Sequence, residues 1–171
     1  MTRFLVVATA IALTACDSDL LTVTEDFDAA DVTFSVPATT EAGAFLAVGT
    51  VDGVNLRARL DDNDLDEDNL RSVVVQSMRA TITDPRGEFS FDDIADGQVL
   101  FSGGSLAPTV VAMLPDASSG TTATLEVRDD DIKAYLLQDE FVATVSGTSA
   151  AAVPEGVTLT LATAYEFTGG L

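Results

Sequence analysis

The sequence predicts an all-β domain, an antiparallel β-sandwich of about eight to ten short strands with one or two short helical segments. Two observations support this prediction. Apolar and polar residues alternate far more often than apolar residues recur at helical spacing. Turn-forming residues separate the alternating stretches. Residues 31–171 have a length that suits a single domain, since domains most often contain about 100–150 residues.

The clearest alternation is in the last predicted strand, residues 157–167. Its apolar side chains would share one face and its threonines the other, so one face should be buried. The apolar set is Val157, Leu159, Leu161, Tyr165 and Phe167. The same pattern predicts further strands at residues 31–36, 44–50, 54–60, 72–83, 88–91, 99–102, 109–114, 123–127 and 140–147.

Turns and two short helices complete the predicted domain. Asp52-Gly53, residues 84–87 and residues 154–156 supply the Gly, Pro and Asp residues that tight connections require. Helical spacing is confined to residues 64–70 and 130–137.

The N-terminus predicts a bacterial lipoprotein signal. Arg3 precedes an apolar run over residues 4–15, which is too short to span a membrane as a helix, since spanning takes about 20 residues. The run ends in the cleavage motif Leu13, Thr14, Ala15 and Cys16. Small residues before the cysteine admit a signal peptidase, and the thiol of Cys16, the only cysteine, would receive a diacylglyceryl group, so that acyl chains such as palmitate anchor the chain.

Cleavage after residue 15 would leave a mature chain lipid-anchored to a membrane of the cell envelope, on the periplasmic side or at the cell surface. Residues 16–30 are acidic and are predicted to form a tether, which would reach at most about 50 Å when extended. Asp17 follows the cysteine. Acids at this position resemble a retention signal in some sorting systems and an export signal in others, so both locations stay open.

Composition excludes much common enzymology. The chain has no histidine, and imidazole is the usual general base and the commonest metal ligand. With Cys16 lipidated, no thiol remains for a disulfide or a nucleophile. The chain has 28 Asp and Glu against 8 Lys and Arg, a net charge of −20. Loss of Arg3 with the signal would change the net charge to −21. Because a chain this acidic repels phosphate groups, nucleic acid is not an expected partner. A salt-adapted, solvated acidic surface accounts for the charge.

One acidic segment suggests a metal site. Residues 61–68 hold seven oxygen-bearing side chains, and calcium prefers six to eight oxygen ligands. The candidate ligands are Asp62, Asp64, Asp66 and Asp68. Their spacing does not match an EF-hand, because Glu67 stands where the glycine belongs and Val73 where the bidentate glutamate belongs. The alternative is a solvated loop at the start of a short helix.

Two other acidic groups have a structural interpretation. One of Asp129, Asp130 and Asp131 is expected to cap the helix predicted at residues 130–137. Asp92, Asp93 and Asp96 are expected to belong to a turn.

The second half of the chain resembles a group of uncharacterised bacterial β-sandwich lipoproteins. The resemblance rests on residues 71–78, 81–87 and above all 131–141, and it spans roughly residues 54–168. It implies a sandwich with a short helical segment before the penultimate strand. It implies no activity and no catalytic residues.

These observations predict a non-enzymatic, membrane-anchored envelope lipoprotein, structural or partner-binding, with no catalytic residues and no cofactor. Two alternatives stay open. The acidic segment predicts a calcium-stabilised adhesion or interaction module. A hydrolase would use two carboxylates about 5–9.5 Å apart, but the sequence singles out no pair.

Overall fold

The protein forms a β-sandwich of two five-stranded antiparallel sheets. The computed structural model describes residues 22–29, 31–52, 56–62, 66–138 and 140–170. In the described residues the strands are β1 (Thr22–Asp28), β2 (Val32–Ser35), β3 (Gly43–Asp52), β4 (Leu70–Thr83), β5 (Ile94–Gly103), β6 (Leu106–Met113), β7 (Thr122–Thr124), β8 (Glu126–Val127), β9 (Glu140–Ser149) and β10 (Thr158–Gly170). The helices are α1 (Leu56–Asp62) and α2 (Lys133–Leu136), with 3-10 turns at Glu67–Asn69 and Phe91–Asp93. The predicted all-β sandwich is confirmed.

Sheet A has the order β1-β10-β4-β7, and β2 pairs with β10 beside β1. Sheet B has the order β3-β9-β5-β6-β8. The last strand is central in sheet A, because β10 pairs with β4 on one side and with β1 and β2 on the other. No helix among the described residues is long and apolar enough to cross a membrane.

The core lies between the two sheets and follows the alternation of the sequence. All five apolar residues of the predicted last strand are buried: Val157, Leu159, Leu161, Tyr165 and Phe167. In β4 the buried positions change phase, from Val73 and Val75 to Met78 and Ala80. The register between β4 and β10 shifts at this point, so one extra residue in β4 keeps both halves of the strand facing the core.

Several predicted elements are wrong in type. Residues 56–60 were predicted as part of a strand but begin α1, in which Leu56 and Leu60 are both buried. A spacing of four satisfies both a period of two and a helical period, so the sequence pattern was ambiguous here. Of the helix predicted at residues 64–70, the described part holds only the 3-10 turn Glu67–Asn69. Residues 88–91 form no strand and lead into the 3-10 turn Phe91–Asp93.

The end of the predicted tether also requires correction. Thr22–Asp28, inside the segment of residues 16–30, forms strand β1, which pairs with β10 over seven residues. The acidic residues in its sequence concealed this strand, because an edge strand with a solvated face can carry charges. Phe27 of β1 is buried, and the centroid of its ring lies 5.4 Å from the centroid of the Tyr165 ring.

Candidate functional site

The acidic segment of residues 61–68 lies between α1 and β4. Asp62, Asp66 and Asp68 are exposed, whereas Asp64 lies outside the described residues. Glu67 forms an ion pair with Arg57 of α1. Over the described residues, no group of three or more His, Cys, Asp or Glu side chains is arranged to hold a metal ion. The calcium site therefore stays a prediction from the sequence.

Asp131 has a structural role that the sequence indicated. Its Oδ1 accepts hydrogen bonds from the backbone N–H groups of Lys133, the first residue of α2, and of Val73 in β4, each at 3.0 Å. Asp131 thus satisfies the first backbone N–H of α2 as the sequence predicts, but from the position before the N-cap, since the N-cap residue is Ile132 and makes no side-chain cap hydrogen bond. The same atom also ties the α2 segment to a strand 58 residues earlier in the chain, a contact that sequence spacing does not reveal.

Asp84 organises the turn after β4. Its carboxylate accepts hydrogen bonds from the backbone N–H groups of Arg86, Glu88 and Phe89. These bonds, with that of Arg86 the largest cause, hold the pKa of Asp84 below its ordinary value. A carboxylate satisfied by three backbone donors is held in the turn, so Asp84 is a structural residue.

Asp92 and Asp93 organise a second turn in the same way. Asp92 accepts hydrogen bonds from the N–H of Gly120 and the hydroxyl of Ser90. The bond from Gly120 is the largest cause of a pKa below the ordinary value for Asp92. Asp93 and Ser90 form a reciprocal capping box around the 3-10 turn. The expectation that these acids belong to a turn is confirmed for Asp92 and Asp93, whereas Asp96 lies within β5, at positive φ beside an irregularity in its pairing with β9.

Both tyrosines are buried and contribute to the fold. Tyr135 of α2 is buried, and its hydroxyl donates to the carbonyl of Ala107 and bonds to the Thr109 hydroxyl at 2.8 Å. The helix thereby closes one end of the core. Tyr165 lies in the core between the sheets, where burial raises the pKa of its hydroxyl above the ordinary value.

A shallow, open groove of about 490 Å³ crosses the outer face of sheet A. Its volume lies within the range of small-molecule sites, about 300–1,000 Å³. Ala162, Ala164 and Ser77 supply small side chains along adjacent strands. The exposed groups of Asp31 and Arg79 also line it, so the groove offers both a carboxylate and a guanidinium. Such a surface can hydrogen-bond a polar ligand or a chain segment. Sequence reasoning missed it because these residues come from distant strands.

The residues predicted for signal cleavage and lipidation, Leu13, Thr14, Ala15 and Cys16, lie outside the described residues. The described chain begins at Thr22 with β1. These four positions therefore rest on the sequence.

No family model matches this sequence, and no curated protein is significantly similar to it. Among solved structures, a chain from Desmodium yellow mottle tymovirus is 10% identical with a TM-score of 0.29, over 100% of this chain and 94% of that one. A chain from turnip yellow mosaic virus is 12% identical with the same TM-score of 0.29, over 99% and 92% of the two chains. At these TM-scores the likeness carries no argument about function.

Proposed function

We propose that this protein is a lipid-anchored lipoprotein of the cell envelope, and that its sandwich is a non-enzymatic structural or partner-binding module. The observation that carries the proposal is the N-terminal pattern. Arg3 precedes a short apolar run that ends in Leu13-Thr14-Ala15-Cys16, at the only cysteine of the chain.

The start of β1 limits how far the sandwich can lie from the membrane. Strand β1 begins at Thr22, so five residues separate it from Cys16. A fully extended linker from Cys16 to Thr22 spans at most about 20 Å. An anchored sandwich would therefore sit close to the lipid headgroups, at less than half the reach of the tether expected from the sequence.

Two features support a non-enzymatic module. The chain contains no histidine, so a histidine general base is excluded. Asp84 and Asp92 themselves are unsuited to the role of a general acid near neutral pH, which requires a raised pKa, because hydrogen bonds from backbone N–H groups lower theirs. Both carboxylates are also occupied by backbone donors.

The groove on sheet A is the surface we assign to partner binding. It combines small side chains at Ala162 and Ala164 with the charged groups of Asp31 and Arg79. A partner that fits must tolerate the acidic surface around it, because the whole chain carries a net charge of −20. Neutral or cationic partners satisfy this requirement.

Lipid labelling tests the anchor. Cells that express the full chain are fed an alkyne analogue of palmitate, and membranes are washed with alkaline carbonate. We expect label on the wild-type chain and retention in the membrane, and loss of both in Cys16→Ser. Thr14→Ser keeps a small residue before the cleavage site and should behave like the wild type. An unlabelled wild-type chain released by carbonate would contradict the proposal.

Cross-linking in native membranes tests the groove. Ala162→Trp fills it, and Thr33→Trp places the same ring elsewhere on the outer face of sheet A. We expect Ala162→Trp to lose cross-linked partners that Thr33→Trp retains. Equal loss in both variants argues against the groove, and turnover of a substrate panel by the purified chain argues against a non-enzymatic module.

A further inference from the structure

The four sheet edges of the described sandwich differ in how far they are protected from pairing with another strand. On sheet A, β7 has three residues, and the opposite edge is divided between the four-residue β2 and β1, whose sequence includes Glu25, Asp26 and Asp28. On sheet B, β8 has two residues. Short or charged edges resist further pairing.

Strand β3 is longer than any of these edge strands. It forms the other edge of sheet B, runs for ten residues and has no charged residue before Asp52, its last. Its pairing with β9 is continuous over all ten residues, without a bulge. A long, regular and uncharged edge strand offers unpaired backbone N–H and C=O groups as a template for another strand.

Two outward side chains of β3, Leu46 and Val48, are also large and apolar. Leu46 is 54% exposed and Val48 is 55% exposed, the two highest values among the exposed large apolar residues of the described chain. The outward positions of their neighbour β9, from Val142 to Thr148, hold only Val, Thr and Ser. In a chain with 28 acidic residues, this is a charge-free strip beside an open edge.

We propose that β3 pairs with β3 of a second copy of this chain, antiparallel about a two-fold axis at Ala47. In this register Leu46 lies opposite the partner's Val48, and Val48 lies opposite the partner's Leu46. On the inward face, Phe45 lies opposite the partner's Gly49, so a large residue meets a small one. The two five-stranded sheets then form one ten-stranded sheet.

Self-complementarity favours a second copy as the occupant, because Leu46 and Val48 of each copy meet Val48 and Leu46 of the other on an edge that is uncharged up to Asp52. Two chains that each carry a net charge of −20 repel each other through most surfaces. In the proposed register Asp52 lies opposite the partner's Ala42, so no like charges face each other across the strand pair. The arrangement is isologous and closes at two subunits. The contact is a single strand pair of ten residues. Small interfaces, below about 1,200 Å², are typical of transient complexes, so we expect the dimer to be concentration dependent.

Sedimentation equilibrium, run from low micromolar to millimolar protein, measures the dimer dissociation constant and tests whether β3 forms the interface. The full chain carries Cys16→Ser and is kept in a non-ionic detergent that disperses the apolar N-terminus. We expect Val48→Lys to raise the dimer dissociation constant at least about tenfold, because its charge lies within the interface. Thr122→Lys adds the same charge at an exposed position of β7, outside the sheet A groove, and should leave the constant unchanged.

Leu46→Lys is a second variant at an exposed position, and thermal unfolding checks that each variant is folded. A parent chain that stays monomeric throughout overturns the proposal. So does a folded Val48→Lys or Leu46→Lys variant that dimerises like the parent.

Cross-linking tests the register in the same Cys16→Ser chain, which contains no cysteine until one is introduced. The double variant Leu46→Cys with Val48→Cys should form a disulfide-linked dimer under mild oxidation, because position 46 faces position 48 across the axis. Each single variant should form far less. Single variants that cross-link as readily as the double variant, or a double variant that does not cross-link, overturn the register.

Discussion

Replacing Asp131 with alanine removes the acceptor that joins the α2 segment to β4. The N–H of Val73, a residue with 0% exposure, then loses its partner, and such an orphaned buried donor costs about 1–3 kcal/mol. The N–H of Lys133 also loses its acceptor, which is comparable to the loss of a helix cap, about 0.5–2 kcal/mol. We expect the free energy of unfolding to fall by about 2–3 kcal/mol in total.

Differential scanning calorimetry measures this change. For a chain of this size, each kcal/mol lost from the free energy of unfolding lowers the Tm by about 2–4 °C. Asp131→Ala should therefore lower the Tm by about 4–12 °C. Asp131→Asn is the matched control, because its side-chain oxygen can still accept both hydrogen bonds. Equal Tm values for the two variants would refute the reasoning.

Three further predictions follow from single contacts. Gly49→Ala should cost about 1–3 kcal/mol, because its Cβ would lie 2.8 Å from the ring of Phe34, whereas Gly43→Ala, with nothing within 4 Å, should change urea unfolding little. Because the pKa of Asp84 is lowered in the folded state, its contribution is present above the ordinary Asp range and is lost as pH falls through the lowered pKa. Asp84→Asn should therefore flatten the acid limb of unfolding free energy against pH, and an unchanged slope would count against this. Tyr135→Phe removes both hydroxyl hydrogen bonds and should lower the unfolding free energy by about 1–2 kcal/mol in chemical denaturation, and no loss would mean that water replaces them.

The sequence predicted most strands because burial on one face imposes a period of two. It predicted the last strand to within one residue at its start and three at its end, with the five apolar side chains in the core. It failed at α1, where Leu56 and Leu60 satisfy two periods at once, and at β1, where charges on an edge strand resembled a tether. The residues of the sheet A groove share no sequence pattern, because pairing brings Ala162 beside Arg79 across 83 positions.

The sequence by itself determined the all-β class, the turns and the capping role of an aspartate before α2, since alternation, turn chemistry and caps are local properties. Only the tertiary structure decided which sheet each strand joins. Residues 123–127 alternate like one strand, yet β7 pairs with β4 in sheet A and β8 pairs with β6 in sheet B. Alternation specifies which side chains are buried but not which neighbour supplies the hydrogen bonds. For the same reason, only the folded chain shows that β3 is an open and uncharged edge.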